Sequence, residues 1–131
     1  MTTPHVIEEF KIGVRRGRYP PVEIPLEVTE LTEEEKNLYE RLSRSLGRGE
    51  ASCIAVARNR GLIFLSDDYD ARKKARLLGV KVSGTIGLLV LGVKKNVLTL
   101  DEADKLLQKM IELGFYSPIK RIEEIMPSSS P

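Results

Sequence analysis

Two adjacent aspartates, Asp67 and Asp68, follow Ser66 at the end of the apolar run Leu62-Ile63-Phe64-Leu65. Crowded carboxylates repel one another and lose hydration. A pair at a strand tip therefore needs a cation, a helix N-terminus or open water to offset its charge. In a parallel α/β sheet, ligands gather at the carboxyl ends of the strands, which makes these residues the first candidates for chemistry. With one cysteine, Cys53, and one histidine, His5, the chain has no thiolate or imidazole cluster for zinc. A bound metal would be held by oxygen, and the ions that suit such donors are magnesium, manganese and calcium. Simpler roles compete at each position. Glu50 reads first as a helix-start acid favoured by the macrodipole, and one of Asp67 and Asp68 is expected to cap the helix that follows. Arg72 reads as a salt-bridge partner for Asp68, and Cys53 as a small core residue.

These side chains must be positioned by the elements around them. Pro4 to Ile12 reads as a short helix with Val6, Ile7 and Phe10 on its apolar side, ending near Gly13. Val22, Ile24, Leu26 and Val28 alternate with Glu23, Pro25 and Glu27, the pattern of a strand, and Pro25 places that strand at an edge. Thr32-Glu33-Glu34-Glu35 is a capping box ahead of a helix carrying Leu38, Leu42 and Leu46, stopped at Gly47 and Gly49. A helix of small residues from Glu50 to Asn59 can approach a sheet closely. The strand Leu62–Leu65 follows, then a helix over Asp68 to Leu78, a brief strand Val80-Lys81-Val82, and an apolar helix from Gly84-Thr85-Ile86-Gly87 to Lys95. A further helix starts at Thr99 or Asp101 and stops at Gly114. A last one runs through Ile119, Ile122 and Ile125.

Strands alternating with helices imply a parallel sheet covered on both faces, an α/β fold in three layers. The 131 residues are 41% hydrophobic, enough for one core. One domain over residues 1–126 is expected, with a disordered tail at 127–131. No stretch reaches the roughly 20 apolar residues of a membrane span, and the first ten residues lack the pattern of a signal peptide, so a cytosolic location is expected. A net charge of +2 does not by itself argue for nucleic acid. Basic clusters at Lys11–Arg18 and Arg72–Arg76 read as solvated faces that could also meet phosphates.

Three segments together resemble a known family. Gly47-Arg48-Gly49-Glu50-Ala51, Ser66-Asp67-Asp68-Tyr69-Asp70-Ala71-Arg72 and Gly84-Thr85-Ile86-Gly87 occur in the order and spacing of PIN domains, over about residues 4 to 126. The likeness is to the prokaryotic branch that includes the toxins of toxin–antitoxin pairs, the VapC-like ribonucleases. It implies a ribonuclease that gathers acids around Mg2+ or Mn2+. Glu50 and Asp68 match principal ligands, Glu9 in Val6-Ile7-Glu8-Glu9-Phe10 matches an earlier acid, and Asp67 supports the site. Ser66, Arg72 and Thr85 are then candidate substrate contacts. RNA as substrate, an antitoxin as partner and a homodimer are what the resemblance further implies.

The family pattern opens with a central strand ending in an aspartate. This chain begins almost directly at Thr3-Pro4-His5-Val6, so the expected fold is N-terminally incomplete. Loss of that strand would expose two sheet edges and remove a ligand. Three readings stay open: a start codon assigned too late, a truncated and inactive descendant, or replacement of the strand by a partner or a swapped segment. A non-catalytic module that binds RNA or a protein is the alternative function. A phosphoacceptor receiver domain fits poorly, because its acids would lie nearer the amino terminus.

Overall fold

Thr3 sets the start of the first helix, α1 (Pro4–Arg15), by accepting a hydrogen bond from the Val6 amide while Pro4 takes the first helical position. In the computed structural model, residues 1–126 are described, and the chain divides into two units, Met1–Val82 and Ser83–Pro131. The expected tail, 127–131, lies outside the described residues. α1 runs through Gly13 instead of ending there. Tyr19 occupies the space where a Cβ on Gly13 would stand, and its ring stacks on Phe10 at 5.5 Å, so this glycine serves close approach and does not end the helix.

Helix α2 (Glu33–Leu42) begins with the expected capping box: Glu35 N donates to Thr32 Oγ1, and Thr32 N to Glu35 Oε1. The helix stops at Leu42, one turn early, yet Leu46 still packs on the core. Helix α3 (Arg48–Arg60) starts from Gly47, which has no side chain to cap it, and ends at Gly61 in the left-handed conformation. Its small residues let it sit deep in the first unit. Ala51, Ile54 and Ala57 cluster with Leu42, Phe64, Ala71, Ala75 and Val80. Burying Ile54 alone is worth about 1.5–3 kcal/mol.

Glu35 ties α2 to α3. Its wholly buried carboxylate accepts from Arg60 Nε at 2.9 Å, Arg60 Nη2 at 2.9 Å, Asn59 Nδ2 at 2.8 Å and Thr32 N at 2.8 Å. The Arg60 bonds come first in holding its pKa down to about 2, against the opposing pull of burial. Arg60 extends the network to Thr29 Oγ1 and the Glu30 carbonyl.

Strand β1 (Phe64–Leu65) leads into α4 (Tyr69–Leu77) and then β2 (Val82–Ser83), which pairs with β1 in parallel, Phe64 N donating to Lys81 O at 2.9 Å. Among the described residues the six α-helices and this short parallel sheet make an α/β fold. The expected strand over 22–28 does not form. Only Val28 makes a bridge, parallel to Thr2, because Pro20, Pro21 and Pro25 offer no amide for a ladder and the Val22 amide turns back to Pro20 O.

In the second unit, α5 (Thr85–Lys94), α6 (Leu100–Glu112) and a 3-10 turn, Ile122–Glu124, bury Leu89, Ala103, Leu107 and Ile122. Thr99 caps α6 with a second capping box, which decides between the two expected starts. The helix expected through 119–125 shrinks to that turn. Side chains take the amides it would need: Glu124 accepts from Lys120 and Arg121, and Asp104 accepts from Ile122 at 2.6 Å. Among the described residues, no helix is long and apolar enough to cross a membrane.

Candidate functional site

Glu9, Glu50 and Asp68 come from three elements of the first unit, and the charges of Asp68 and Glu9 act on Glu50. Glu50 stands in the first turn of α3, half-buried. Burial pushes its carboxyl pKa up, and repulsion from Asp68, Glu9 and Asp70, in that order, pushes it further. An acid at a helix N-terminus is ordinarily favoured in its ionised form. At Glu50 the causes of the upward shift are burial and the neighbouring acids.

Glu9 has a structural duty as well. Its Oε1 accepts from the Gly49 amide at 2.9 Å, so a carboxylate from α1 caps α3 where Gly47 cannot. A Cβ on Gly49 would stand 2.6 Å from Glu9 Oε2 and 3.2 Å from Val6 Cγ2. Only glycine lets Glu9 approach so closely. The neighbouring Glu8 points elsewhere, pairing with Arg15 at 3.5 Å on the surface. Thr3 and Ser52 lock the same corner: their hydroxyls meet at 2.7 Å, and Ser52 Oγ donates to Gly49 O at 2.7 Å.

Asp68 is the residue of the pair that caps α4, its Oδ2 accepting from Ala71 N at 2.8 Å. The Asp68 amide donates to Ser66 Oγ at 3.1 Å, so Ser66 shapes the turn from β1 into α4. Asp67 is exposed beside it. Asp70, in the first turn of α4, is an acid that sequence reasoning passed over. Its signal was the two-residue spacing from Asp68, which repeats the negative charge at the start of one helix. Arg72 does not pair with Asp68; among the described residues it has no ion pair, and the charge of Asp68 is offset by the helix start instead. Thr85 opens α5 in the second unit. Cys53 contributes to the core of the first unit, and burial pushes its thiol pKa up, against the needs of a nucleophile.

The donors are carboxylate oxygens alone, and their mutual repulsion is the kind of charge a hard divalent ion relieves. In chemistry, carboxylate donors of this kind suit such an ion. In spacing, no three or more His, Cys, Asp or Glu side chains among the described residues are gathered closely enough to surround one. Each of Glu9 and Asp68 already has one oxygen committed to a helix amide.

Neither the curated proteins nor the solved structures contain a match to this chain. PIN domains as a family use divalent metal ions, and nuclease activity is general among them. The family model DUF3368, PIN domain, matches residues 1–130, nearly the whole sequence, and so the chain belongs to the PIN-domain family.

Proposed function

We propose that this chain is a metal-dependent ribonuclease that hydrolyses RNA phosphodiester bonds. The observation that carries the reading is the state of Glu50: a carboxyl whose pKa is pushed up by burial and by three other carboxylates. Such a site stores repulsion that a cation would relieve. Glu50 and Asp68 are assigned as principal ligands, Glu9 as the third, and Asp67 as a supporting acid. When bound, Mg2+ or Mn2+ would supply charge to stabilise the scissile phosphate and to activate water.

The chain's own residues prepare the site. α3 presents Glu50 at its first turn, the Gly49 amide fixes Glu9 beside it, and Ser66 together with the Ala71 amide fixes Asp68. Burial and the neighbouring acids disfavour the ionised form of Glu50, so it holds its proton to higher pH than an ordinary glutamate. Ser66 and Arg72, in the first unit, are assigned to RNA contacts; Thr85, in the second unit, is a separate candidate contact. The toxin branch of the family, with an antitoxin as partner and a homodimer as the working form, is the narrower reading that goes with this activity.

The test is cleavage of a labelled single-stranded RNA with Mn2+ or Mg2+, beside Asp68→Asn and an EDTA control, with thermal melting in rising Mn2+ as a second readout. Metal-dependent cleavage and stabilisation, both lost in Asp68→Asn, would support the reading. Cleavage unchanged in that variant would sink it. One observation favours a second reading, a non-catalytic module that binds RNA or protein: Glu9 Oε1 and Asp68 Oδ2 are both spent on helix capping. Neither cleavage nor a metal shift, with RNA still bound, would select it.

A further inference from the structure

Helix α4 turns Ala71 and Ala75 into the core of the first unit, where both are fully buried. The helical period then sets its opposite side. Tyr69, Lys73 and Arg76, at i, i+4 and i+7, fall on one stripe, and all three are exposed. The stripe begins directly after Asp68, which caps the helix. At 1.5 Å per residue it reaches roughly 12 Å along the axis from that acid.

Tyr69 is the unusual member of this face. The other aromatic rings of the first unit rest against protein: Phe10 stacks on Tyr19, Tyr39 leans on His5 at 4.4 Å, and Phe64 lies in the core. Tyr69 is 72% exposed and, among the described residues, pairs with no ring. A tyrosine left in water forfeits the burial from which an aromatic side chain gains most of its stabilising effect. Lys73 and Arg76, among the described residues, form no salt bridge. The acids of the same helix start are engaged elsewhere: Asp68 accepts from the Ala71 amide, and Asp70, about 100° round the helix from Tyr69, is one of the acids whose charge reaches Glu50.

We propose that Tyr69 is a base-stacking residue: a nucleobase beside the scissile phosphate leaves its own stack and lies on the Tyr69 ring, while the phosphates of the same strand run along α4 over Lys73 and Arg76. The proposal rests on the reading of the neighbouring acids as an RNA-cleaving site and adds what that site selects. An open ring takes the face of any base, and a cation about one turn and another about two turns further on take phosphate charge. This combination fits nucleic acid better than an acidic peptide, which would match the cations and leave the ring idle. Within a duplex each base is covered on both faces by its neighbours. The face therefore selects an unpaired stretch, whose bases can be splayed out onto an aromatic side chain.

The probe is a short oligouridine with a central 2-aminopurine, a base whose fluorescence is quenched on stacking, titrated into the full chain in EDTA so that binding is read without cleavage. Saturable binding with quenching is expected. Tyr69→Ala, which replaces a solvent-open side chain and should fold as the parent does by circular dichroism, is expected to abolish the quenching and weaken binding about tenfold, the scale of one lost base stack. Tyr69→Trp should keep both. Lys73→Gln and Arg76→Gln should each lower the slope of log affinity against log salt by about 0.7 and leave the quenching in place, whereas Tyr69→Ala leaves the slope as it is. Unchanged quenching and affinity in Tyr69→Ala would overturn the proposal. So would the absence of RNA binding, or equal affinity for the fully paired duplex or for a polyglutamate peptide. Cleavage separates this outcome from that of the nuclease reading. Tyr69-dependent quenching in a chain that cuts no RNA would keep Tyr69 as a stacking residue while the nuclease reading fails; Mn2+-dependent cleavage at subsaturating RNA that Tyr69→Ala leaves untouched would overturn the stacking role while the nuclease reading stands.

Discussion

Two carboxylates of the same residue type sit in the first unit under opposite conditions. Glu35 is buried completely, yet four donors from Arg60, Asn59 and Thr32 surround it and its pKa falls to about 2. Glu50 is only half-buried, yet the charges that act on it are Asp68, Glu9 and Asp70, and its pKa rises. Burial alone therefore does not decide the fate of an acid; the sign and geometry of its neighbours do. Glu35 holds two helices together, whereas Glu50 stands where burial and neighbouring acids disfavour its charge.

The largest expected effect would come from breaking the satisfied node. Glu35→Ala leaves the Arg60 guanidinium, the Asn59 amide and the Thr32 amide without their acceptor, and should cost about 3 kcal/mol or more by urea unfolding. A loss below about 1 kcal/mol would put Glu35 on the same footing as a surface pair. Next comes Asp68→Asn, which keeps a side-chain oxygen for the Ala71 amide but removes a charge. It should leave folding within about 1 kcal/mol and lower metal-dependent cleavage by on the order of a hundredfold or more, measured under single-turnover conditions.

Acid titration sharpens the contrast, because the two carboxyls move stability in opposite senses. The folded pKa of Glu35 is about 2, below its ordinary 4.5. Its contribution is complete above the ordinary value and drains away as the pH falls from about 4.5 towards 2, by on the order of 2–3 kcal/mol. Glu50 has a folded pKa above the ordinary value. Its ionisation penalty is absent below the ordinary value and grows as the pH rises through the folded pKa. A chain without Glu35 should lose most of the acid-side slope in melts from pH 5 to pH 2.

Two smaller effects remain. Gly49→Ala should push the Glu9 carboxylate aside; the atom displaced is the end of a flexible side chain, so stability should change by less than about 1 kcal/mol while cleavage falls about tenfold. Glu50→Gln removes a charge that its neighbours oppose. At neutral pH it should raise the melting temperature by about 1–3 °C, a gain kept small by solvent screening, and abolish cleavage. A lower melting temperature would show that the helix N-terminus outweighs the neighbouring acids.

The sequence by itself determined the helices whose signals are local. The boxes Thr32–Glu35 and Thr99–Glu102 close within one turn, and the Asp pair announced a cap before α4 because capping needs only a carboxylate three residues ahead of a free amide. Glu50 and Asp68 were legible as acids on adjoining elements, through the order and spacing of the family's segments. The tertiary structure decided what depends on distant partners. It turned Glu9 into the cap of α3, drew Asp70 into the field at Glu50, joined Glu35 to Arg60, and kept α1 helical through Gly13 because Tyr19 fills the space beside it. It also left the alternating run Val22–Val28 outside any sheet and reduced the last helix to one turn, where prolines and side-chain acceptors redirected the amides. Local patterns fix which hydrogen bonds a segment can make; the fold fixes which of the competing partners arrives.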